Sequence, residues 1–517
     1  MAKTVLSLSL IWMISVANAG KVSDTVIVAS VGRFAITARD LLDSYEFGPA
    51  FVKRSANPLR THLSYMVYER LLALEAERLR YDTTEFVHDR VAALEEDLTT
   101  DELYKERGLA HVHLTPAEID TGIQKAKMNL RLRWIYAKTL ADAQRINGQI
   151  KQGVSYDVLF ARQGDRSDTL DKHFLETTLL KLESDNPDLA AKISHLHARE
   201  VSAPIEGPDG FYIFRIDQIW QNPLTTETEY TALKDQATKI LTSARADALA
   251  GGFVKEKMKS VNPIIKADGF NIVRAYMAEK GLSHDTRVEW DIPSTFMTEA
   301  GPLPISSSGK FLSRALVTFG SQMLTVRDYL RWFDIHQFQL KTSSLAAFNS
   351  SVKKTIWKMV QDKLLSQEAY SLGLNRRSVV QLEKRKWEAK LLYLAGRSHV
   401  ARTVALSDSA VKNEYTIHRQ RYRDASGKAM SFDQAKGQIR LALYYSEESK
   451  ALMRTLQRLQ REFPVAINEE AVRSLSATVL KETSPIDVIF YKPGGTFPRV
   501  AFPSIDERWQ SFPPTLR

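Results

Sequence analysis

The chain has 517 residues, 44% of them hydrophobic, a formal net charge of +10 and no cysteine. That length supports several cores, three or four domains by the usual domain size. The absence of cysteine excludes disulfides, thiolate metal sites, a Cys nucleophile and a lipoprotein anchor on an N-terminal Cys, so burial alone must hold the fold. The positive charge would attract anionic surfaces in general. Its carriers (Arg131, Arg133, Lys353, Lys354, Arg376, Arg377, Lys384, Arg385, Lys386) are spread out, as solvated helix faces are, and form no dense run.

In chain order, Lys3 precedes an apolar run from Val5 to Val16, and Ala17-Asn18-Ala19 forms an A-x-A cleavage pattern before Gly20. That is the grammar of a secretory signal peptide, residues 1–19, too short for a stable membrane span. Export makes nucleic acid an unsuitable partner. Next comes Val31-Gly32-Arg33-Phe34-Ala35-Ile36-Thr37-Ala38-Arg39-Asp40-Leu41-Leu42, a strand, a Gly turn, a second strand and a helix start with Thr37 as N-cap and Asp40 three residues on. Asn57-Pro58 opens a helix carrying Leu59, Leu63, Met66, Val67, Leu71 and Leu74 at helical spacing, and a further helix is expected from Thr84 to Arg107.

The segment 129–222 reads as strand, helix, helix, strand. Leu130 to Ala137 alternates like a half-buried strand, Thr139 caps a helix carrying Ala143, Ile146 and Ile150 and closed by Gly153, and a short helix holds Tyr156, Leu159 and Ala161. Glu200-Val201-Ser202-Ala203-Pro204-Ile205 then leads through Gly207-Pro208-Asp209-Gly210 into the strand Phe211–Ile216. A long helix opens at Asp235 and ends near Pro263-Ile264-Ile265. The stretch 276–312, with Pro293, Pro302, Pro304 and Ser306 to Ser308, reads as a linker.

At Phe319 the chain repeats itself. Phe319-Gly320-Ser321-Gln322-Met323-Leu324-Thr325-Val326-Arg327-Asp328-Tyr329-Leu330 matches the first hairpin 288 residues later, with Gly, Thr, Arg, Asp and Leu in register. Leu364-Leu365-Ser366-Gln367-Glu368-Ala369 answers Leu71-Leu72-Ala73-Leu74-Glu75-Ala76, and Ser407 answers Thr115 as a helix start. Asp433-Gln434-Ala435 answers Asp235-Gln236-Ala237, but Thr115 to Asp235 is 120 positions and Ser407 to Asp433 only 26. The first copy therefore holds about 94 extra residues, the size of a small domain. Residues 481–517 are rich in proline and aromatics and are expected as an extended arm packed on a neighbouring surface.

That inserted segment resembles the parvulin-type (PpiC) peptidyl-prolyl isomerase domain. The resemblance rests on the strand before Lys138-Thr139, the spacing Gly153-x-x-Tyr156-x-x-Leu159-x-Ala161, Ser167-Asp168, Glu200-Val201-Ser202-x-Pro204, and Gly210 before the last strand. The whole chain resembles the SurA/PrsA class of exported foldases, in which N-terminal helices and a helix plus strand after the isomerase unite into one chaperone module. The resemblance implies pocket positions at Trp134, Tyr156, Leu159, Ser167 and Tyr212. Two of them, Trp134 and Tyr212, stand where parvulins carry histidines. Arg199 stands where a Gly usually precedes the Glu-Val-Ser turn, and Thr169 to Phe174 replaces a glycine-rich segment.

Rotation of an X–Pro amide crosses a barrier of about 18–20 kcal/mol and needs no cofactor, only a pocket that favours the twisted form. With both histidines replaced, whether the domain is an enzyme stays open. The expectation is an α+β, mainly helical protein with two SurA-like chaperone modules in tandem. Residues 24–128 plus 225–275 would form the first module, 129–222 the parvulin-like insert and 313–480 the second module. The expected function is a periplasmic chaperone for unfolded secreted or outer-membrane polypeptides, using no cofactor or metal. The alternatives are an active parvulin-type isomerase and a structural envelope scaffold. His111-x-His113 and His195-x-His197 have the wrong spacing for a metal site on one helix face.

Overall fold

The computed structural model describes residues 23–164, 174–207, 210–221, 223, 226–292, 311–336, 338–479 and 503–514. The expected signal peptide and Ser167 lie outside them. The fold is α+β and mainly helical. Among the described residues no helix is long and apolar enough to cross a membrane. Among the described residues ten strands, β1 (Ile27–Val31), β2 (Phe34–Thr37), β3 (Met128–Ala137), β4 (Phe174–Thr178), β5 (Ile205–Glu206), β6 (Phe211–Gln221), β7 (Ile264–Ile265), β8 (Ala315–Phe319), β9 (Gln322–Thr325) and β10 (Val465–Ile467), form three antiparallel sheets.

Two of those sheets hold the two hairpins of similar sequence, and their local geometry agrees position by position. Gly32 and Gly320 both turn at φ +54°, a left-handed conformation that glycine adopts without steric cost. Val31 pairs with Phe34 and Phe319 with Gln322, and each ladder breaks register at the same place, between Ile27 and Ala29 and between Ala315 and Val317. Thr37 with Asp40, and Thr325 with Asp328, each form a capping box: the hydroxyl accepts from the Asp amide and the carboxylate accepts from the Thr amide. Even the bonds that pin the incoming chain recur, Ala38 N to Val26 O at 2.8 Å and Val326 N to Arg314 O at 3.0 Å.

Each hairpin is completed by a strand from the other copy. Ala29 pairs with Ile467, and its counterpart Val317 pairs with Ile265. Asn468 N donates to Val28 O, as Lys266 N does to Leu316 O. The resemblance implies closure by the helix and strand of the same copy, and the register corrects that: the two C-terminal strands are exchanged. Both strands follow a Pro and place an Ile on the equivalent hairpin residue, Ile467 on Ala29 and Ile265 on Val317.

The described residues divide into two compact units, one within positions 100–330 and 339–367, the other within 23–99, 331–338 and 368–514. In the second, the helix Pro58–Arg78 is central. Proline at its first turn suits the unbonded amide there, and sixteen of its twenty-one residues are buried, so it is wrapped on nearly every side. The Ser378–Arg402 helix lies directly on it at Gly396, where an added Cβ would sit 2.4 Å from Leu72 O. The Phe432–Glu462 helix contributes Leu452, Leu456 and Leu459 to the same core, and the C-terminal segment adds Ile505, Trp509 and Phe512.

In the other unit the helices Pro116–Lys127 and Glu227–Val261 flank the inserted sheet. The latter runs for 35 residues and stops at Asn262, held at φ +43°. Two helices, Ala267–Gly281 and His284–Glu289, occupy the first part of the stretch read as a linker. Gly269 brings the former onto β8, with room for no Cβ against Ala315 O.

Candidate functional site

Residues 128–221 carry a four-stranded sheet in the order β4-β3-β6-β5, with β3 and β6 central and paired over ten residue positions. Helices Leu140–Lys151 and Tyr156–Gly164 follow β3, the first capped by Thr139, whose hydroxyl accepts from Asp142 N at 3.2 Å. Gly153 ends the first at φ +94°. Helices Leu179–Asp185 and Pro187–Ile193 follow β4.

Because alternate strand residues point to opposite faces, register decides which residues meet. Trp134 sits opposite Phe214 and Tyr136 opposite Tyr212, so all four rings share one face. Trp134 is tilted on Phe214 with centroids 5.9 Å apart, Tyr212 stacks on Phe214 at 6.1 Å, and Tyr136 meets Tyr212 at 5.4 Å. The row is half-buried and continues into a core of Leu130, Leu132, Leu182, Ile193 and Leu196. Trp134 and Tyr212 are thus diagonal neighbours on one face. Each cross-strand partner is another aromatic ring.

The turn beside the row is fitted to it. Gly207 N donates to Gly210 O at 2.8 Å, and a Cβ on either glycine would lie about one bond length inside contact distance, 2.4 Å from Tyr212 Cε2 or 2.6 Å from Tyr136 Cε2. Ser202 anchors the preceding segment, donating N–H to Phe214 O at 2.8 Å and accepting from Phe214 N at 3.0 Å. Arg199 is at φ +69°, a left-handed position that explains why the family pattern places glycine there.

Tyr156 and Leu159 do not join the row. They lie under the opposite face with Ile135, Phe160 and Ile213, and the Tyr156 hydroxyl donates to Ile213 O at 3.2 Å. Burial pushes its phenol pKa up. The five expected positions therefore separate into two on one face, two on the other, and Ser167 outside the described residues.

That opposite face also carries a charge network the sequence reading missed. Arg215 bridges Asp157 at 2.8 Å and Asp217 at 2.6 Å, its guanidinium 4.4 Å over the Tyr156 ring. Arg133 pairs with Asp217 and reaches Asp157 at 3.4 Å. The hydrogen bonds from Arg215 hold the Asp157 carboxyl below its usual range. Each acid answers two cations, so the network is structural and offers no poised base. The signal was the alternation Arg131-x-Arg133 and Arg215-x-Asp217 on strands otherwise apolar. Of the described histidines in the domain, His197 is exposed and bonded to Glu200 at 3.2 Å, and His195 is exposed. The aromatic row can bind a proline ring or another aromatic side chain through its faces. It presents phenols and an indole, and no imidazole of the row itself.

No protein-family model matches the chain, and no curated protein matches it. Among solved structures, it is similar to a peptidylprolyl isomerase, PrsA, of Bacillus cereus at 17% identity, covering 43% of this chain and 86% of that one with a TM-score of 0.22. PrsA of Bacillus subtilis aligns at 17% identity over 45% of this chain and 93% of its own, TM-score 0.17. A foldase protein PrsA of Streptococcus pneumoniae aligns at 10% identity over the same shares, TM-score 0.22. At those scores the likeness carries no weight here, and the function proposed below rests on this chain's own residues.

Proposed function

We propose that the chain is an exported, periplasmic chaperone that holds unfolded secreted or outer-membrane polypeptides, and that its inserted domain, residues 129–222, is a parvulin-like domain that binds without turning over. The observation that carries this reading is the row Trp134, Tyr136, Tyr212 and Phe214, four rings packed on one another where catalysis would need a hollow and an imidazole pair. An indole in place of an imidazole adds bulk where a substrate proline would sit. What remains is a shallow aromatic surface of the kind that takes proline and aromatic side chains at low affinity.

Other surfaces suit the same role. The edge strand β10 borders a cleft of about 600 Å³ lined by Arg60, Phe463, Val465 and Ile467, room for an extended chain to add to the sheet. Weak sites of this sort gain by acting together on one client. The domain plan belongs to the proposal as well: a signal peptide over residues 1–19, then two chaperone-like copies of which the first alone holds the insert. The test is aggregation of a chemically unfolded polypeptide diluted into the purified protein. The chaperone reading expects a delay at near-equimolar ratio. An unchanged light-scattering trace would remove it, leaving a scaffold.

A further inference from the structure

The C-terminal segment is held in a way that ordinary core packing does not require. Trp509 is buried among Tyr65, Tyr68, Tyr393 and Phe512, stacked on Tyr65 at 6.0 Å and 10°. Its indole N–H donates to Glu69 Oε1 at 3.1 Å, and the same oxygen accepts from Asp506 N at 2.8 Å. Tyr65 donates its hydroxyl to Phe512 O at 2.8 Å and Tyr68 to Pro513 O at 3.1 Å. The Asp506 carboxylate accepts from Tyr393 at 2.9 Å and pairs with Arg397, while Arg508 reaches Glu448 at 3.0 Å. Side chains of the helices thus capture the main-chain groups of a short segment, as peptide-binding grooves do.

The groove's two buried carboxylates have partners outside the segment as well. Glu69 keeps Lys390, at 2.8 Å from both carboxylate oxygens, and Glu448 keeps Arg397 at 3.7 Å. Neither buried carboxylate would be left uncompensated if the segment departed. Beside Trp509 a cavity of about 260 Å³ remains, lined by Tyr445, Ser449, Leu452 and Ser511 among others, so the seat is wider than its present contents. In sequence, residues 480–502 separate the segment from the preceding helix.

We propose that the groove between helices Pro58–Arg78, Ser378–Arg402 and Phe432–Glu462 is a peptide-binding site whose resident ligand is the chain's own C-terminal segment. A client segment of the same chemistry displaces it: an acidic residue, a tryptophan three positions later and a second aromatic three after that, matching Asp506, Trp509 and Phe512. The client half of this inference rests on the chaperone reading; the seat itself does not. A tethered segment is presented at an effective concentration of about 1 mM, so a free peptide of ~10 µM intrinsic affinity would bind the intact chain ~100-fold more weakly than a chain whose tether is cut.

The test uses the full chain with a protease site inserted between residues 485 and 495, cut after folding, and a labelled peptide of residues 503–514. The severed protein should take up the peptide, the intact protein should bind it ~100-fold more weakly, and a peptide with Trp509→Ala should lose ~100-fold or more. An unfolded test polypeptide carrying the Asp-x-x-Trp-x-x-Phe pattern should compete the label off. Loss of the cooperative thermal transition on cutting would overturn the proposal, since the segment would then be inseparable core. Retention of the transition with no peptide uptake, equal affinity before and after cutting, or no competition would overturn it too. Uptake and competition as expected, in a protein that fails to delay aggregation, would leave the groove standing and remove the chaperone reading.

Discussion

The two hairpins share a turn, a register, a bulge and a capping box, yet the helices that pack on them bury different chemistry. Nine residues before the shared Leu-Leu pair, the first copy has His62 and the second Thr355. His62 is fully buried with Ser44 Oγ 2.9 Å from its Nε2; Thr355 is buried with Tyr329 Oη at 2.7 Å. The first copy's central helix also receives Trp509. The two hairpins agree in what the backbone demands. Their buried polar contacts differ, because a hydrogen bond can be satisfied by many pairs of side chains while a left-handed turn is met by few.

The sharpest asymmetry is Trp509. Trp509→Ala removes the largest fully buried side chain among the described residues together with its hydrogen bond to Glu69, and should cost about 3–5 kcal/mol. Denaturant unfolding should show it as a shift of the midpoint. A loss below ~1 kcal/mol would mean the segment is a surface ornament.

Next in size is pH. Burial, with lesser pressure from Lys53 and Lys390, lowers the His62 pKa to about 3. The folded state therefore refuses a proton that the unfolded state binds below about 6.5, and stability falls as pH drops from there toward 3. Between pH 6 and pH 4 the loss from this one group should be about 2–3 kcal/mol. His62→Thr, borrowing the second copy's residue, should flatten that part of the profile. An unchanged slope would show that His62 titrates normally.

The turns separate the copies more finely. Gly32→Ala and Gly320→Ala both force φ +54° on a residue with a Cβ, about 1–2 kcal/mol each. At Gly32 the new methyl would also lie 2.8 Å from Leu74 Cδ1, whereas nothing lies within 4 Å at Gly320. Gly32→Ala should be the worse by about 1 kcal/mol, and equal losses would deny the difference in packing. The smallest effect is expected at Arg199, which holds a left-handed position without being glycine. Arg199→Gly should gain about 0.5 kcal/mol, strain relief exceeding the added freedom of the unfolded chain.

Much of the local structure was legible in the sequence. The hairpins, both capping boxes, the Pro58 helix start, the Thr139 cap and the β3 and β6 strands follow from short-range grammar that the fold does not override. The exchange of β7 and β10 was not legible, because both are short apolar strands after a Pro and the pairing is set by long-range packing. Which face each pocket residue occupies depends on strand register and helix placement, so Trp134 and Tyr212 could be aligned from their strands while Tyr156 and Leu159 could not. The aromatics of the C-terminal arm announced that it packs. Its seat was marked by Glu69, an acid which, like Glu75, interrupts an apolar helix, a signal that names a buried anchor without naming what it holds.

A protein that holds unfolded chains without turning over their prolines leaves a signature in the refolding of a polypeptide whose slow phase is limited by an X–Pro bond, followed in rate and in final yield. With this protein present, the slow-phase rate constant should stay near the uncatalysed value, with less material lost to aggregation. A slow phase strongly accelerated by the wild-type protein, and restored to its uncatalysed rate by Tyr212→Ala, would contradict it and make the aromatic row a working isomerase pocket.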